Sequence, residues 1–269
     1  MRSLFWFAAL CLIFGRTLSA ETPEASEECD VSAQFGKYPG AFVLFDKAHN
    51  KWLRYQPKEC RERTTPCSTF KILNSLIALE TGVATGPDFT IRWDGTKHPI
   101  EAWNRDQTLR SAISVSCVWY YEALAARIGM AKYKPIMEKT GYGNGDLSGG
   151  LPHFWLESSL TISPDEQVQF LRRLHARELP FSVKSVDTVL DIITLSKSGK
   201  TVLRGKTGTA GDAVKNISTM GWFVGSVTTA DGDYFFATRI TGKENPSGRI
   251  ARGITEAILA KLKILPEKK

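Results

Sequence analysis

Apolar and polar residues along this chain fall into three regimes: strand-like near the start, helical through the middle, and strand-like again before the end. Ala41-Phe42-Val43-Leu44-Phe45-Asp46 and Lys51-Trp52-Leu53-Arg54-Tyr55 flank His49-Asn50 and predict a β-hairpin. Over residues 68–80 the spacing becomes helical, bounded by Pro66 in front and Gly82 behind. Leu73, Leu76, Ile77 and Leu79 leave that helix almost no polar face, so it has to be buried. Further helical patterns cover about 116–128, 130–139, 164–176 and 184–194, with a glycine-rich turn region over 141–150 between them. Strands return over 201–206, 219–227 and 234–240, the last two joined through Ala230-Asp231-Gly232-Asp233, and 250–262 closes the chain as an amphipathic helix. That order predicts an α+β fold: both chain ends build one central antiparallel sheet, flanked by helices, with an inserted helical part. The expected boundaries are about 21–66 and 198–269 for the α/β part and about 67–197 for the helical part, in a single domain over 21–269.

With 42% hydrophobic and 23% charged residues in 269, the chain has the composition of a globular protein with a sizeable core, not of a disordered one. Its first residues carry a different signal. Met1 and Arg2 precede an apolar run from Leu4 to Phe14, and Leu18-Ser19-Ala20 offers a small-residue cleavage site, so residues 1–20 read as a secretory signal peptide. The run is too short for a membrane span. The expected mature chain is therefore free of the membrane and periplasmic or otherwise secreted, where thiols can oxidise. Cys11 leaves with the leader. Cys60 and Cys67 bracket a short polar loop that admits either a disulfide or two thiols. Loss of Arg2 and Arg16 takes the formal charge from +7 to +5, a modest excess that suits small anionic ligands or plain solubility. The positive residues are scattered and no nucleic-acid motif accompanies them, which excludes nucleic acid as a partner.

The candidate chemistry lies in four short elements. Ser68-Thr69-Phe70-Lys71 sets a hydroxyl and an amine three residues apart on one helix face. A charged lysine on an all-apolar buried helix costs several kcal/mol unless it is paired, neutral or modified, and each outcome makes it a candidate base. Lys206-Thr207-Gly208 ends a predicted strand before a Gly208–Gly211 loop, with Lys206 and Gly208 on one face and glycine permitting close approach of a ligand. Ser116-Cys117-Val118 stands at a predicted helix start, where the serine either caps the helix or points into a cleft. Tyr142-Gly143-Asn144 falls in the glycine-rich turn. His49, His98, His153 and His175 lack the spacing of a metal site, and no Gly-x-Ser-x-Gly elbow is present, so neither a metal centre nor a Ser-His-Asp hydrolase is expected.

Taken in this order, Ser-x-x-Lys, Ser-x-Val, Tyr-Gly-Asn and Lys-Thr-Gly resemble the class D, or oxacillinase-type, serine β-lactamases of the penicillin-recognising serine enzyme superfamily, over about residues 41–266. The resemblance implies the β-lactamase/transpeptidase-like fold and hydrolysis of β-lactams through an acyl-enzyme on Ser68. It implies that Lys71 carries carbon dioxide as a carbamate and serves as general base, with no other cofactor. Phe70, Val118, Trp155 and Leu156 are expected to wall the carbamate pocket, with the Trp155 indole N–H donating to it. Ser116 is expected to relay a proton to the leaving nitrogen with help from Lys206, and the N–H groups of Ser68 and Thr209 to form the oxyanion hole. Substrate contacts are assigned to Thr207, Gly208 and Thr209, with Tyr142 and Asn144 shaping the site. The family's carboxylate-binding arginine aligns with Ala251, which leaves Arg249 or Arg252 as stand-ins. Glu157 reads as a structural carboxylate, not as the base a glutamate provides in class A enzymes. The alternative is a penicillin-sensor domain that is acylated without turnover, and the chain is expected to be a monomer or a homodimer.

Overall fold

The computed structural model describes residues 26–267 apart from Ala213 and Asn216. The expected leader and Cys11 lie outside the described residues. The described residues begin with strand β1 (Ser26–Glu28) and one helical turn, α1 (Ser32–Phe35), followed by the expected hairpin of β2 (Gly40–Asp46) and β3 (Lys51–Tyr55). A 3-10 turn over Cys67–Phe70 runs directly into α2 (Lys71–Glu80). A two-stranded ribbon, β4 (Thr90–Ile91) with β5 (Gln107–Thr108), precedes α3 (Leu109–Ser114), α4 (Val118–Ile128), α5 (Met130–Thr140), α6 (Pro164–Ala176) and α7 (Val183–Ile192). The remaining elements are β6 (Thr194–Ser198), β7 (Thr201–Asp212), β8 (Ile217–Thr228), β9 (Asp233–Thr241) and α8 (Gly248–Lys261).

The large sheet has the order β1-β3-β2-β9-β8-β7-β6, so a strand from the start of the domain pairs with one from its end, Leu44 opposite Phe236. Its pairings are antiparallel except at one edge, where β1 lies parallel to β3. That exception to the expected antiparallel sheet follows from α1 and β2 intervening, a connection long enough for a parallel crossover. Alternate residues of each strand feed two cores. Val43, Phe45, Trp222, Val224 and Ala237 pack with the helical part, while Phe42, Leu44, Phe223, Phe236 and Ile240 pack under α8. Cover on both faces is why β2 reads as a continuous apolar run.

Local sequence sets the element ends. Ser163 caps α6 by accepting the Glu166 N–H, Glu166 returns the bond to the Ser163 N–H, and Pro164 occupies the first turn. Two expectations shift. Residues 208–211 belong to β7, not to a loop, and β6 is an additional, largely exposed edge strand whose polar sequence gives no apolar alternation. Cys60 and Cys67 are free, buried thiols, as is Cys117, so no disulfide joins them. Burial pushes the Cys60 and Cys67 thiols up to about 12, and Cys60 donates to the carbonyls of Phe42 and Tyr55.

Candidate active site

The 3-10 turn that precedes α2 has a geometric consequence. Side chains three residues apart eclipse one another in such a turn, and Lys71 Nζ comes 2.9 Å from Ser68 Oγ. Ser68 is half-buried while Lys71 is fully buried. Lys71 Nζ also reaches the Ser116 carbonyl oxygen at 2.8 Å and Ser116 Oγ at 3.2 Å. Burial brings the Lys71 amine down from 10.5 to about 7, against a smaller opposing pull from Cys117, Cys67 and Glu122. A neutral amine fits its three partners: two N–H groups face the Ser116 oxygens and the lone pair accepts the Ser68 hydroxyl.

Ser116 lies in the connection between α3 and α4, one residue before the N-cap Cys117, so it caps nothing. Its φ of 56° is unusual for a side chain with a Cβ and is held by hydrogen bonds from Ser116 N to Ile113 O and from Cys117 N to Ala112 O. The resulting turn presents Ser116 Oγ to a second amine, Lys206 Nζ, at 2.9 Å. Lys206 is buried as well, and burial together with the neighbouring Lys71 charge holds it well below its ordinary value. On the same face of β7, a Cβ added to Gly208 would come 3.1 Å from Pro66 O and 3.2 Å from Thr69 Cγ2. Glycine there lets the strand press against the turn that carries Ser68.

The wall beside Lys71 is aromatic. Phe70 stacks on Trp155 at 5.5 Å and meets Phe154 and Tyr142 edge-on. Trp155 is fully buried, and its indole Nε1 finds no hydrogen-bond partner. An orphaned buried donor in this aromatic wall fits an anionic acceptor such as a lysine carbamate. Above these groups opens a cleft of about 500 Å³, lined among others by Ser68, Ser116, Val118, Leu156, Thr207 and Thr209.

The structure thus brings Ser68, Lys71, Ser116 and Lys206 together, with Phe70 and Trp155 behind them and Val118 and Leu156 at the cleft. Thr207, Gly208 and Thr209 line the cleft as well, whereas Tyr142, Asn144, Arg249 and Arg252 do not. Tyr142 is buried behind Phe70, with its hydroxyl toward Gln167, and Asn144 ties its own turn to Ser159 and Thr161. Arg249 is exposed and does not line the cleft. Arg252 pairs with Glu256 on α8 and lies over Phe223, and it too is absent from the cleft wall. Both arginines sit on α8, whose N-cap Ser247 does line the cleft. Thr209 Oγ1 is engaged by the Gly248 N–H at 3.0 Å.

Sequence reasoning missed Thr65. Its hydroxyl donates to Trp155 O at 3.0 Å and accepts from Glu157 N at 3.0 Å and Cys67 N at 3.4 Å. A threonine before a proline carries no pattern that marks it. Glu157 and Asp212 also line the cleft, as do Ile100, Trp103 and Ile217.

The penicillin binding protein transpeptidase domain family model matches residues 31–260. The chain is 40% identical to the probable beta-lactamase YbxI of Bacillus subtilis over 86% of this chain and 84% of that one. It is also 40% identical to the regulatory protein BlaR1 of Bacillus licheniformis over 88% of this chain, but it spans only 39% of BlaR1's length. The crystal structure of the class D beta-lactamase from Bacillus subtilis superposes with a TM-score of 0.83 at 39% identity, covering 89% of this chain and 98% of that chain.

Proposed function

Since the chain belongs to the penicillin-binding-protein transpeptidase family and groups there with the class D serine β-lactamases, we propose that it hydrolyses the β-lactam amide of penicillins and related antibiotics through an ester on Ser68. The observation that carries the proposal is one fully buried amine, brought down to about 7, lying 2.9 Å from a cleft-facing serine hydroxyl. At neutral pH about half of such an amine is uncharged, against fewer than one in a thousand for an ordinary lysine.

In this reading Lys71 takes the Ser68 proton as the oxygen attacks the lactam carbonyl carbon. The carbonyl oxygen gathers negative charge between the N–H groups of Ser68 and Thr209. The first of these lies in the opening turn of a helix, where backbone donors have no intrahelical acceptor. As the ring C–N bond breaks, Ser116 hands its proton to the nitrogen and recovers one from Lys206 or Lys71, which both touch Ser116 Oγ. The substrate carboxylate is then left to Lys206 and the Thr207 and Thr209 edge of β7, because no arginine lines the cleft among the described residues.

Carbon dioxide added to the uncharged Lys71 amine supplies a carboxylate base both for acylation and for activating the hydrolytic water, and the unpartnered Trp155 N–H is the donor that would hold it. The leader over residues 1–20 directs this activity to the periplasm or outside the cell.

The second reading, a sensor that stays acylated, is favoured by the similarity to BlaR1. Intact-mass measurement during incubation with a penicillin separates the two. A hydrolase gives a transient adduct on Ser68, then free protein and hydrolysed drug. An adduct that persists after the drug is exhausted refutes hydrolysis and leaves the sensor.

A further inference from the structure

The free edge of β7 beside the cleft is tied down by one carboxylate. Gly205 N donates to Ile193 O, so at this point the strand's outward N–H groups point away from β8. Strand alternation sends the N–H groups of Thr207, Thr209 and Gly211 the same way. β6 pairs with β7 only up to Arg204, and beyond it this edge has no neighbouring strand. The Thr209 N–H is the proposed oxyanion donor, and the next outward N–H, that of Gly211, is taken by Glu157 Oε1 at 2.7 Å. The ladder is weakest here. A register shift falls between Ala210 and Gly211, and Gly211 has a φ of 133°, where an added Cβ would lie 2.2 Å from Ile217 O.

Glu157 is itself fixed from the other side. Its φ is 49°, and its N–H donates to Thr65 Oγ1 at 3.0 Å, the same oxygen that accepts from Cys67 N, one residue before Ser68. Thr65 Oγ1 also donates to Trp155 O, so that hydroxyl is fully used. Two residues, Thr65 and Glu157, therefore join the nucleophile turn, the Trp155 wall and the edge of β7 that carries the second oxyanion donor.

We propose that Glu157 is a positioning residue, whose carboxylate holds the β7 edge through Gly211 so that the Thr209 N–H stays aimed at the developing oxyanion. It works by accepting a hydrogen bond, not as a base. The proposal rests on Ser68 being the acylated serine, but not on turnover, because a sensor needs the same oxyanion contacts to be acylated.

The test is the acylation rate constant of the full-length protein with a chromogenic cephalosporin, followed by rapid quench and intact mass. Glu157→Ala is expected to slow acylation on the order of ten- to a hundredfold, the scale of a displaced oxyanion donor, with little change in the half-saturating concentration. Glu157→Gln keeps an oxygen acceptor for the Gly211 N–H and is expected to recover most of that loss. A boronic acid that forms a tetrahedral adduct with Ser68 should weaken in the same order across the variants. Wild-type acylation rates in Glu157→Ala overturn the proposal. So does a Glu157→Gln protein as slow as Glu157→Ala, since the charge and not the acceptor would then matter. Should Glu157→Ala fail to fold, Thr65→Val removes the same tie from its other end and is expected to slow acylation likewise; a wild-type rate there overturns the proposal. Acylation that is normal in wild type but never followed by hydrolysis defeats the hydrolase reading and leaves this test intact.

Discussion

Replacing Lys71 by methionine removes a charge the fold opposes, and the structure sets how much that is worth. Unfolded, the lysine binds its proton near 10.5, and folded near about 7. The unfolded chain therefore holds more protons between these values, and stability contributed by this residue rises with pH across that window. The cost of burying the amine is full below pH 7, shrinks as pH climbs, and is gone above 10.5. At ~1.36 kcal/mol per pH unit the cost at neutral pH is about 4 kcal/mol. Methionine fills nearly the same volume but leaves the Ser68 hydroxyl without its acceptor and Ser116 Oγ and Ser116 O without that donor, which takes back about 1–3 kcal/mol.

The net expectation at pH 7 is an inactive protein that is about 2 kcal/mol more stable, a rise in Tm of roughly 5 °C for a domain of this size. Loss of the Lys71 charge also relieves Lys206, which acts in the same direction. The assay is thermal unfolding of both proteins from pH 6 to 10 in buffer stripped of bicarbonate, so that the amine is unmodified. The gap should be widest at the acid end and close toward pH 10. A methionine variant that is less stable at pH 7, or a gap that does not narrow with pH, would falsify the account of Lys71 as an amine held uncharged by burial.

Labelled bicarbonate should give a carbamate resonance that is absent in Lys71→Ala and needs about tenfold more bicarbonate in Trp155→Phe, which removes the unpartnered donor. A resonance unchanged in Trp155→Phe would count against that indole as its partner. Ser116→Ala should lower kcat/KM by at least about a hundredfold, the usual worth of a positioned proton donor, with Ser68 still slowly acylated. Because Glu157 and Asp212 line the outer cleft, a penicillin bearing a second, side-chain carboxylate should show a KM about fivefold higher than one bearing a side-chain ammonium, and the gap should shrink in high salt.

The sequence showed most of what repeats and little of what bends. Periodicity marked β3, α6 and α8 because each buries a regular face, and dense apolar runs marked β2, β8 and β9 because both their faces are covered. Lys71 stood out as a charge on an apolar helix. Residues 208–211 were unreadable as strand because small residues serve close approach there, and closeness leaves no hydrophobic signature. Ser116 gave an ambiguous sign: a serine near a helix start usually caps, and only a positive φ, invisible in sequence, turns it toward the lysines. Tyr142 and Asn144 fell in a motif whose order was legible but whose distance from the cleft was not.

The two lysines also constrain each other, and that leads to a last expectation. Lys71 and Lys206 reach the same hydroxyl from two sides, at 3.2 and 2.9 Å, and the charge of one depresses the other. If Lys71 takes up carbon dioxide, the charge beside Lys206 changes from positive or neutral to negative, and Lys206 gains a reason to hold its proton. Lys206 would then offer the cleft a cation that no arginine provides. Binding of a penicillin to Ser68→Ala, measured by calorimetry, should therefore be tighter with bicarbonate than without, by several-fold. The dependence should vanish in Ser68→Ala/Lys71→Ala and also in Ser68→Ala/Lys206→Met, the first lacking the modified amine and the second the responding one. Equal affinity with and without bicarbonate would mean that Lys206 keeps one charge throughout, and that the carboxylate is held by the Thr207 and Thr209 edge alone.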